Sequence, residues 1–286
     1  MSPSKEISSI KHLGIIAGAG DLPAQLVSTC LHKNITPHIV AIKGHAHPDL
    51  VVEHSHFWSG LGSLGKVIKF FKDNDVRDLV MIGSVKRPSL TELKPDLKTI
   101  KIISKIGLKM LGDDGLLSAL KQELMHEGFN VHGIQDFCEN LLLQAGPLGK
   151  VTPLDDDIES INHGLKISQA IGALDIGQSV VVQNGVILGV EGVEGTDALI
   201  TRCGELKKAG RGPILVKTCK PQQDKALDLP TIGQNTVQSA YDAGFSGIIA
   251  HTDNVLITDS KMVAQYADQY KIFVVGMNPD TLNLKS

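Results

Sequence analysis

The stretch Leu13-Gly14-Ile15-Ile16-Ala17-Gly18-Ala19-Gly20-Asp21-Leu22-Pro23 decides how the first half of the chain is read. Its apolar run is too short for a helix and ends in glycines, whereas Leu22, Leu26, Val27, Cys30 and Leu31 recur behind it at helical spacing. Strand, glycine turn and helix in that order open a crossover unit. A strand at 37–42, a helix at 64–71 and a strand at 78–83 repeat the alternation, which predicts a parallel, Rossmann-like sheet with right-handed crossovers.

Further along, Asp113-Asp114 opens a helical segment that stops at Gly128 before a strand-like stretch at 129–134. The run Ala145-Gly146-Pro147-Leu148-Gly149-Lys150-Val151-Thr152-Pro153 reads as a linker and sets the boundary between an N-terminal domain at 1–145 and a C-terminal domain at 146–286. The second half starts with a helix at about 154–171, whose acidic first turn of Asp155, Asp156 and Asp157 suits the helix dipole. Asn184-Gly185 between two Val/Ile-rich runs is a hairpin signal, and strands follow at 213–217, 247–250, 255–257 and 272–276. Hairpins and crossovers together predict a mixed α/β domain. The fold class is α/β in two domains.

Composition narrows the partners. Lys and Arg number 28 against 31 Asp and Glu, a net charge of −3 without the basic field of a nucleic-acid wrapper. Cys30, Cys138, Cys203 and Cys219 are scattered without metal-site spacing, as reduced thiols in a cytoplasmic protein would be. No run reaches the roughly 18 apolar residues of a membrane span. A symmetric homodimer is the expected assembly.

Several clusters suit phosphate chemistry. Gly18-Ala19-Gly20-Asp21 lets a phosphate approach the backbone at a helix terminus, although Pro23 stands where a dinucleotide fingerprint has its third glycine; a tight turn explains the glycines equally well. The loop Gly83-Ser84-Val85-Lys86-Arg87-Pro88 follows a strand, where Arg87 can clamp a diphosphate and Ser84 can donate. Gly112-Asp113-Asp114 is either a helix cap or an acidic corner. Glu191-Gly192-Val193-Glu194-Gly195-Thr196-Asp197 gathers carboxylates suited to Mg²⁺ or Mn²⁺, and Lys217 closes a buried-looking strand where an anionic substrate would satisfy its charge. Asp228, in Leu227-Asp228-Leu229-Pro230-Thr231-Ile232-Gly233-Gln234, lies ahead of a helix beginning near Asn235 and either caps that helix or does chemistry. His45-Ala46-His47 and His54-Ser55-His56 read as a solvated, histidine-rich loop. Lys98, Lys101, Lys105 and Lys109, interleaved with Leu97, Ile100, Ile103 and Ile106, make a helix that is basic on one side, either an ordinary surface helix or one lying on an anionic membrane.

These strings, with Leu174-Asp175-Ile176-Gly177-Gln178, resemble the UDP-2,3-diacylglucosamine pyrophosphatase family of lipid A biosynthesis, in the form called LpxI, and the resemblance runs nearly end to end. Its strongest parts are Glu194-Gly195-Thr196-Asp197 and Asp228-Leu229-Pro230-Thr231-Ile232-Gly233. The resemblance implies a cytoplasmic hydrolase dependent on a divalent cation, with water attacking the α-phosphorus of the substrate to give UMP and lipid X, while the basic helix pattern at Lys98 to Lys109 leaves peripheral contact with the inner membrane open. Asp228, Asp197 and Lys217 are then the catalytic set, with Asp228 and Asp197 on the metal. Gly18, Ala19, Gly20, Asp21, Ser84, Arg87, Gly112, Asp113, Asp114, Lys150, Gly195, Thr196 and Thr231 form the substrate-binding set. A nonenzymatic nucleotide- or lipid-binding module is the rival reading, and an oxidoreductase fits less well because the glycine pattern is incomplete.

Overall fold

A computed structural model describes residues 7, 9–85, 95–106 and 113–281. The chain forms two compact units: Met1–Glu139 with Asp224–Asp228, and Asn140–Gln223 with Leu229–Ser286. The first unit therefore contains a short piece of chain that returns to it from within the second.

In the first unit the elements run β1 (His12–Ala17), α1 (Leu22–His32), β2 (Thr36–Ile42), β3 (Ser55–Ser59), α2 (Leu64–Asp73), β4 (Asp78–Ile82), α3 (Leu97–Ile106), α4 (Asp113–His126), β5 (Asn130–His132) and α5 (Ile134–Phe137). The five strands pair in parallel in the order β3-β2-β1-β4-β5. Alternate residues of a strand face opposite sides, so Val40, Ile42, Leu79 and Met81 join Leu64, Val67, Ile68 and Phe71 of α2 in one core. The helix α1 buries its own apolar stripe of Leu22, Leu26, Val27 and Cys30.

The second unit runs β6 (Gly146–Pro147), α6 (Asp155–Ala173), β7 (Ser179–Gln183), β8 (Val186–Val190), α7 (Gly195–Leu206), β9 (Ile214–Lys217), β10 (Thr231–Ile232), α8 (Gln234–Asp242), β11 (Gly247–His251), β12 (Leu256–Ile257), α9 (Ser260–Tyr270) and β13 (Phe273–Met277). Its main sheet has the order β6-β13-β11-β9-β7-β8, with β9, β11 and β13 parallel and β6 and β7 antiparallel to their neighbours. Strand periodicity divides the sheet between two cores. Val182, Ile214, Val216, Ile249 and Val275 pack against Ile161 and Leu165 of α6. Val181, Leu215, Ile248, Ala250 and Val274 instead face Leu199, Val237 and Val263 of α7, α8 and α9.

Two local expectations are corrected. The segment around His54-Ser55-His56 enters the edge strand β3 rather than a loop, because pairing with β2 absorbs its backbone while the polar side chains face outward. Within the expected linker, Gly146–Pro147 pairs with β13, and the Lys150 N–H donates to Asp268 Oδ1 at 2.6 Å. Docked backbone of this kind belongs to the second unit, not to a free tether.

Where the order of the first sheet reverses, between β1 and β4, the strand ends are laced together beyond the strands. The Ala19 N–H donates to Ser84 O at 2.8 Å and the Ser84 N–H returns to Ala19 O at 2.9 Å. That approach requires glycine, since a Cβ on Gly18 would lie 2.6 Å from Ser84 O and one on Gly83 would lie 2.7 Å from Ala19 O. Gly20 differs: its φ is +98° but the space around it is open. Gly18→Ala should therefore cost at or above the top of the roughly 1–3 kcal/mol expected for overpacking, because both obstructing atoms are backbone carbonyls. Gly20→Ala should cost about 1–2 kcal/mol from left-handed strain alone. Urea denaturation of both variants checks the order, and a Gly18→Ala protein as stable as Gly20→Ala would show that the lacing yields easily.

Glu127, just beyond α4, accepts from Lys72 of α2 at 2.6 Å and from Lys98 of α3, tying three helices of the first unit. Hydrogen bonds from the two ammonium groups push its carboxyl down to about 2 from an ordinary 4.5. A carboxyl with a depressed folded-state pKa contributes fully above its unfolded value and loses that contribution as pH falls through the folded one. Melting temperature should thus drop between pH 4.5 and about 2, and Glu127→Gln should flatten that part of the curve.

Candidate functional site

The parallel strands β9, β11 and β13 end at Lys217, His251 and Met277, and β7, running the other way, begins at Ser179 beside Lys217. Ligands of open α/β sheets occupy this carboxyl edge. Lys217 is only 6% exposed, so its ammonium needs a partner within the fold, and it donates to Thr196 Oγ1 at 2.8 Å. Thr196 stands on the first turn of α7 and donates its own hydroxyl proton to Glu191 Oε1 at 2.7 Å. Glu191, also 6% exposed, takes the Gln178 N–H on its other oxygen at 3.2 Å.

The surrounding loops are built to hold this arrangement. Gly177 approaches the Glu191 backbone so closely that a Cβ would lie 2.2 Å from its carbonyl oxygen, which explains the glycine in Leu174-Asp175-Ile176-Gly177-Gln178. The Gln178 carbonyl accepts from the Thr218 N–H at 2.9 Å and from Ser168 Oγ at 3.0 Å. Two polar atoms at this edge, Gln178 Oε1 and Thr252 Oγ1, are buried without a hydrogen-bond partner in the protein. Buried polar atoms are ordinarily satisfied, so they mark a place where a ligand or water completes the bonding. Gln178 falls in one of the strings singled out in the sequence and Thr252 in none, and neither was given a role there.

The acidic turn before α7 is not a single chelating corner. Glu191 is spent on Thr196 and Gln178, while Glu194 accepts from Arg202 at 2.8 Å and from the Gly192 N–H at 3.1 Å. A hydrogen bond from its own backbone, then Arg202, hold the Glu194 carboxyl below the usual range. Asp197 is exposed on the first turn of α7, next to Gly195 and Thr196. No cluster of three or more His, Cys, Asp or Glu side chains fit to hold a metal occurs among the described residues.

Asp228 ends the piece of chain that returns to the first unit. That piece is anchored by Lys121 Nζ on Asp224 Oδ2 at 2.5 Å, by Gln135 Nε2 on Lys225 O at 3.0 Å, and by Leu227 packed on the core beneath. Asp228 itself is exposed, and the cap position of α8 is Gly233, whose N–H is taken by Thr236 Oγ1 at 3.3 Å. Asp228 is therefore not the cap of that helix, and the alternative of a purely capping role falls away. Thr231 opens β10 and donates to Leu229 O at 3.3 Å, and Lys150 is exposed.

In the first unit, Gly18, Ala19, Gly20, Asp21 and Ser84 gather at the reversal of strand order, although the backbone groups of Ala19 and Ser84 are already used on each other. What is left facing outward there is the Ser84 side chain and the Gly20-Asp21 turn, with Asp21 exposed and making no cap bond to α1. Arg87 and Gly112 lie outside the described residues, as do the side chains of Asp113 and Asp114 at the start of α4. A hollow of about 190 Å³ at the opposite edge of the second sheet is lined by Asp157, Gln183 and Arg211. Its polar groups are bonded to one another, Arg211 Nε to Asp157 at 2.7 Å and Gln183 Nε2 to Arg211 O at 2.7 Å, which makes it a structural corner.

Comparison with known proteins accounts for both halves. Residues 12–141 match the LpxI N-terminal domain and residues 144–275 the LpxI C-terminal domain. The chain is 35% identical over 277 residues to the UDP-2,3-diacylglucosamine pyrophosphatase LpxI of Caulobacter vibrioides, spanning 94% of this chain and 99% of that protein. With both domain matches in order, the chain belongs to the LpxI family.

Proposed function

We propose that this protein hydrolyses the diphosphate of UDP-2,3-diacylglucosamine to UMP and 2,3-diacylglucosamine 1-phosphate, lipid X, in the cytoplasm. The observation that carries the reading is Lys217 joined through Thr196 to the first turn of α7. A helix N-terminus offers unsatisfied N–H groups and a positive dipole end, and an ammonium fixed beside it supports the same anion. The diphosphate occupies that edge, with Gly195 and Thr196 contributing backbone and Lys217 charge. Unsatisfied Gln178 Oε1 and Thr252 Oγ1 suit the hydroxyl groups of a sugar nucleotide.

Asp197 and Asp228 are exposed carboxylates within the two strongest family strings, and hard oxygen donors of this type suit Mg²⁺ or Mn²⁺. Mg²⁺ characteristically takes one or two protein carboxylates and fills the rest of its shell with water and substrate phosphate, so either carboxylate taken by itself is a donor of the right kind. When bound, such a cation neutralises phosphate charge and orients water. Within the chain, Asp228 positions the attacking water or holds the cation, and Lys217 takes up charge developing on the α-phosphate. Water oxygen bonds to the α-phosphorus as the bond from that phosphorus to the bridging oxygen breaks, and the bridging oxygen leaves with lipid X.

Ser84, Gly20 and Asp21 of the first unit, with Arg87, Gly112, Asp113 and Asp114, are the remaining members of the proposed substrate-binding set. A homodimer, and surface contact with the inner membrane through α3, complete the reading. On α3, Leu97, Ile100 and Lys101 are exposed, whereas Lys98 is engaged with Glu127. No helix among the described residues is long and apolar enough to cross a membrane.

The purified chain should release UMP from UDP-2,3-diacylglucosamine, lose that activity in EDTA and regain it with Mg²⁺. In ¹⁸O-water the label should appear in UMP rather than lipid X. Asp228→Ala should abolish turnover with little change in melting temperature, while retained turnover would remove Asp228 from the mechanism. Saturable binding without hydrolysis at any metal concentration would instead favour a binding module.

A further inference from the structure

A threonine hydroxyl has one proton to give and lone pairs to receive with. In Thr196 the proton goes to Glu191 Oε1 at 2.7 Å, which leaves the oxygen's lone pairs turned to Lys217 Nζ at 2.8 Å. The direction of both bonds is fixed by chemistry, since a carboxylate only accepts and an ammonium only donates. Ser179 Oγ, 3.5 Å from Thr196 Oγ1, adds a weaker contact on the same oxygen. Glu191 and Lys217 are each 6% exposed, so a buried carboxylate stands one hydroxyl away from the buried ammonium.

We infer that Glu191 is a positioning residue that fixes Lys217 through the Thr196 hydroxyl, so that Thr196 meets the substrate with its backbone while its side chain serves the lysine. The inference rests on the reading of Lys217 as the phosphate-binding cation. Three features of the fold hold Glu191 in place. Its backbone N–H is held by Ser179 O at 2.8 Å, its carboxylate receives the Gln178 N–H, and Gly177 closes on its carbonyl at a distance that excludes a side chain. The first and third fix its backbone, and the carboxylate's own bonds to the Gln178 N–H and the Thr196 hydroxyl aim its charge toward Lys217. Because α7 begins at Gly195, a displaced Thr196 would also move the helix terminus that faces the phosphate.

The test is a kinetic cycle with a chemical readout beside it. Glu191→Gln, Thr196→Val and Thr196→Ser are made in the native chain and in a Lys217→Met background, and kcat, KM and melting temperature are measured with radiolabelled UDP-2,3-diacylglucosamine. In the native background Glu191→Gln and Thr196→Val should lower kcat on the order of 100-fold, as a misplaced catalytic group does, with smaller changes in KM. Thr196→Ser, which keeps the hydroxyl, should restore most of the rate. In the Lys217→Met background the same substitutions should change kcat little, whereas an equal loss in both backgrounds would overturn the proposal. Acylation of Lys217 by an amine-reactive acetate ester, followed by mass spectrometry, reads the anchor without substrate. It should accelerate in Thr196→Val and Glu191→Gln but not in Thr196→Ser, and unchanged labelling would overturn the relay whatever the activity. A native chain that releases no UMP yet shows this labelling pattern would sink the assigned reaction and leave the anchored lysine standing.

Discussion

A lysine ammonium held almost out of water at the end of a central strand sets the terms for the second half of this protein. Removing such a charge from water is costly unless it is paired and hydrogen-bonded, and the pairing here runs from Lys217 through Thr196 to Glu191. That requirement reaches outward. It brings the first turn of α7 against the end of β9, folds the turn after β8 back on the start of β7, and demands glycine at 177. A neutral side chain in place of Lys217 would remove the buried charge that this hydrogen-bonded chain accommodates.

Both units apply the same architectural rule with different materials. Parallel strands bury alternate residues against helices, and the carboxyl edge is left to loops. In the first unit the strand ends at the reversal of strand order are joined by backbone pairing between Ala19 and Ser84, which leaves Ser84 and Asp21 exposed beside them. In the second, antiparallel β7 brings Ser179 alongside Lys217, so polar groups from two directions of chain meet at one edge. The first is a backbone-lined edge and the second a charged one.

Much of this was legible in the sequence because period and punctuation report directly on burial. The strands at β1, β2, β4, β9, β11 and β13 and the hairpin at Asn184-Gly185 all appear as apolar runs ended by glycine or polar turns. The edge strand β3 was hidden because edge pairing spends backbone rather than side chains, and histidine and serine on it read as solvent. Lys217 and Thr196 were both named from the sequence, but their bond was not visible, since nothing in spacing connects residues 196 and 217. Glu191 was read as one carboxylate of three in a metal-suited turn; only the fold shows that it faces inward while Glu194 turns to Arg202. Of the two alternatives for Asp228, capping is closed for a local reason, because β10 intervenes and Gly233 stands at the cap position.

The return of Asp224–Asp228 to the first unit has a bearing on how such a protein could have been assembled from parts. The family matches divide the chain at about residues 141 and 144, as though two cassettes had been joined end to end. Physically they are interlocked, because Leu227 and the Lys121–Asp224 ion pair supply the N-terminal half with pieces encoded deep inside the C-terminal half. Neither half is a transferable module. Exchange of one half between relatives would carry a mismatched plug into the other's core, so recombination across this junction is constrained to partners that already agree at both places.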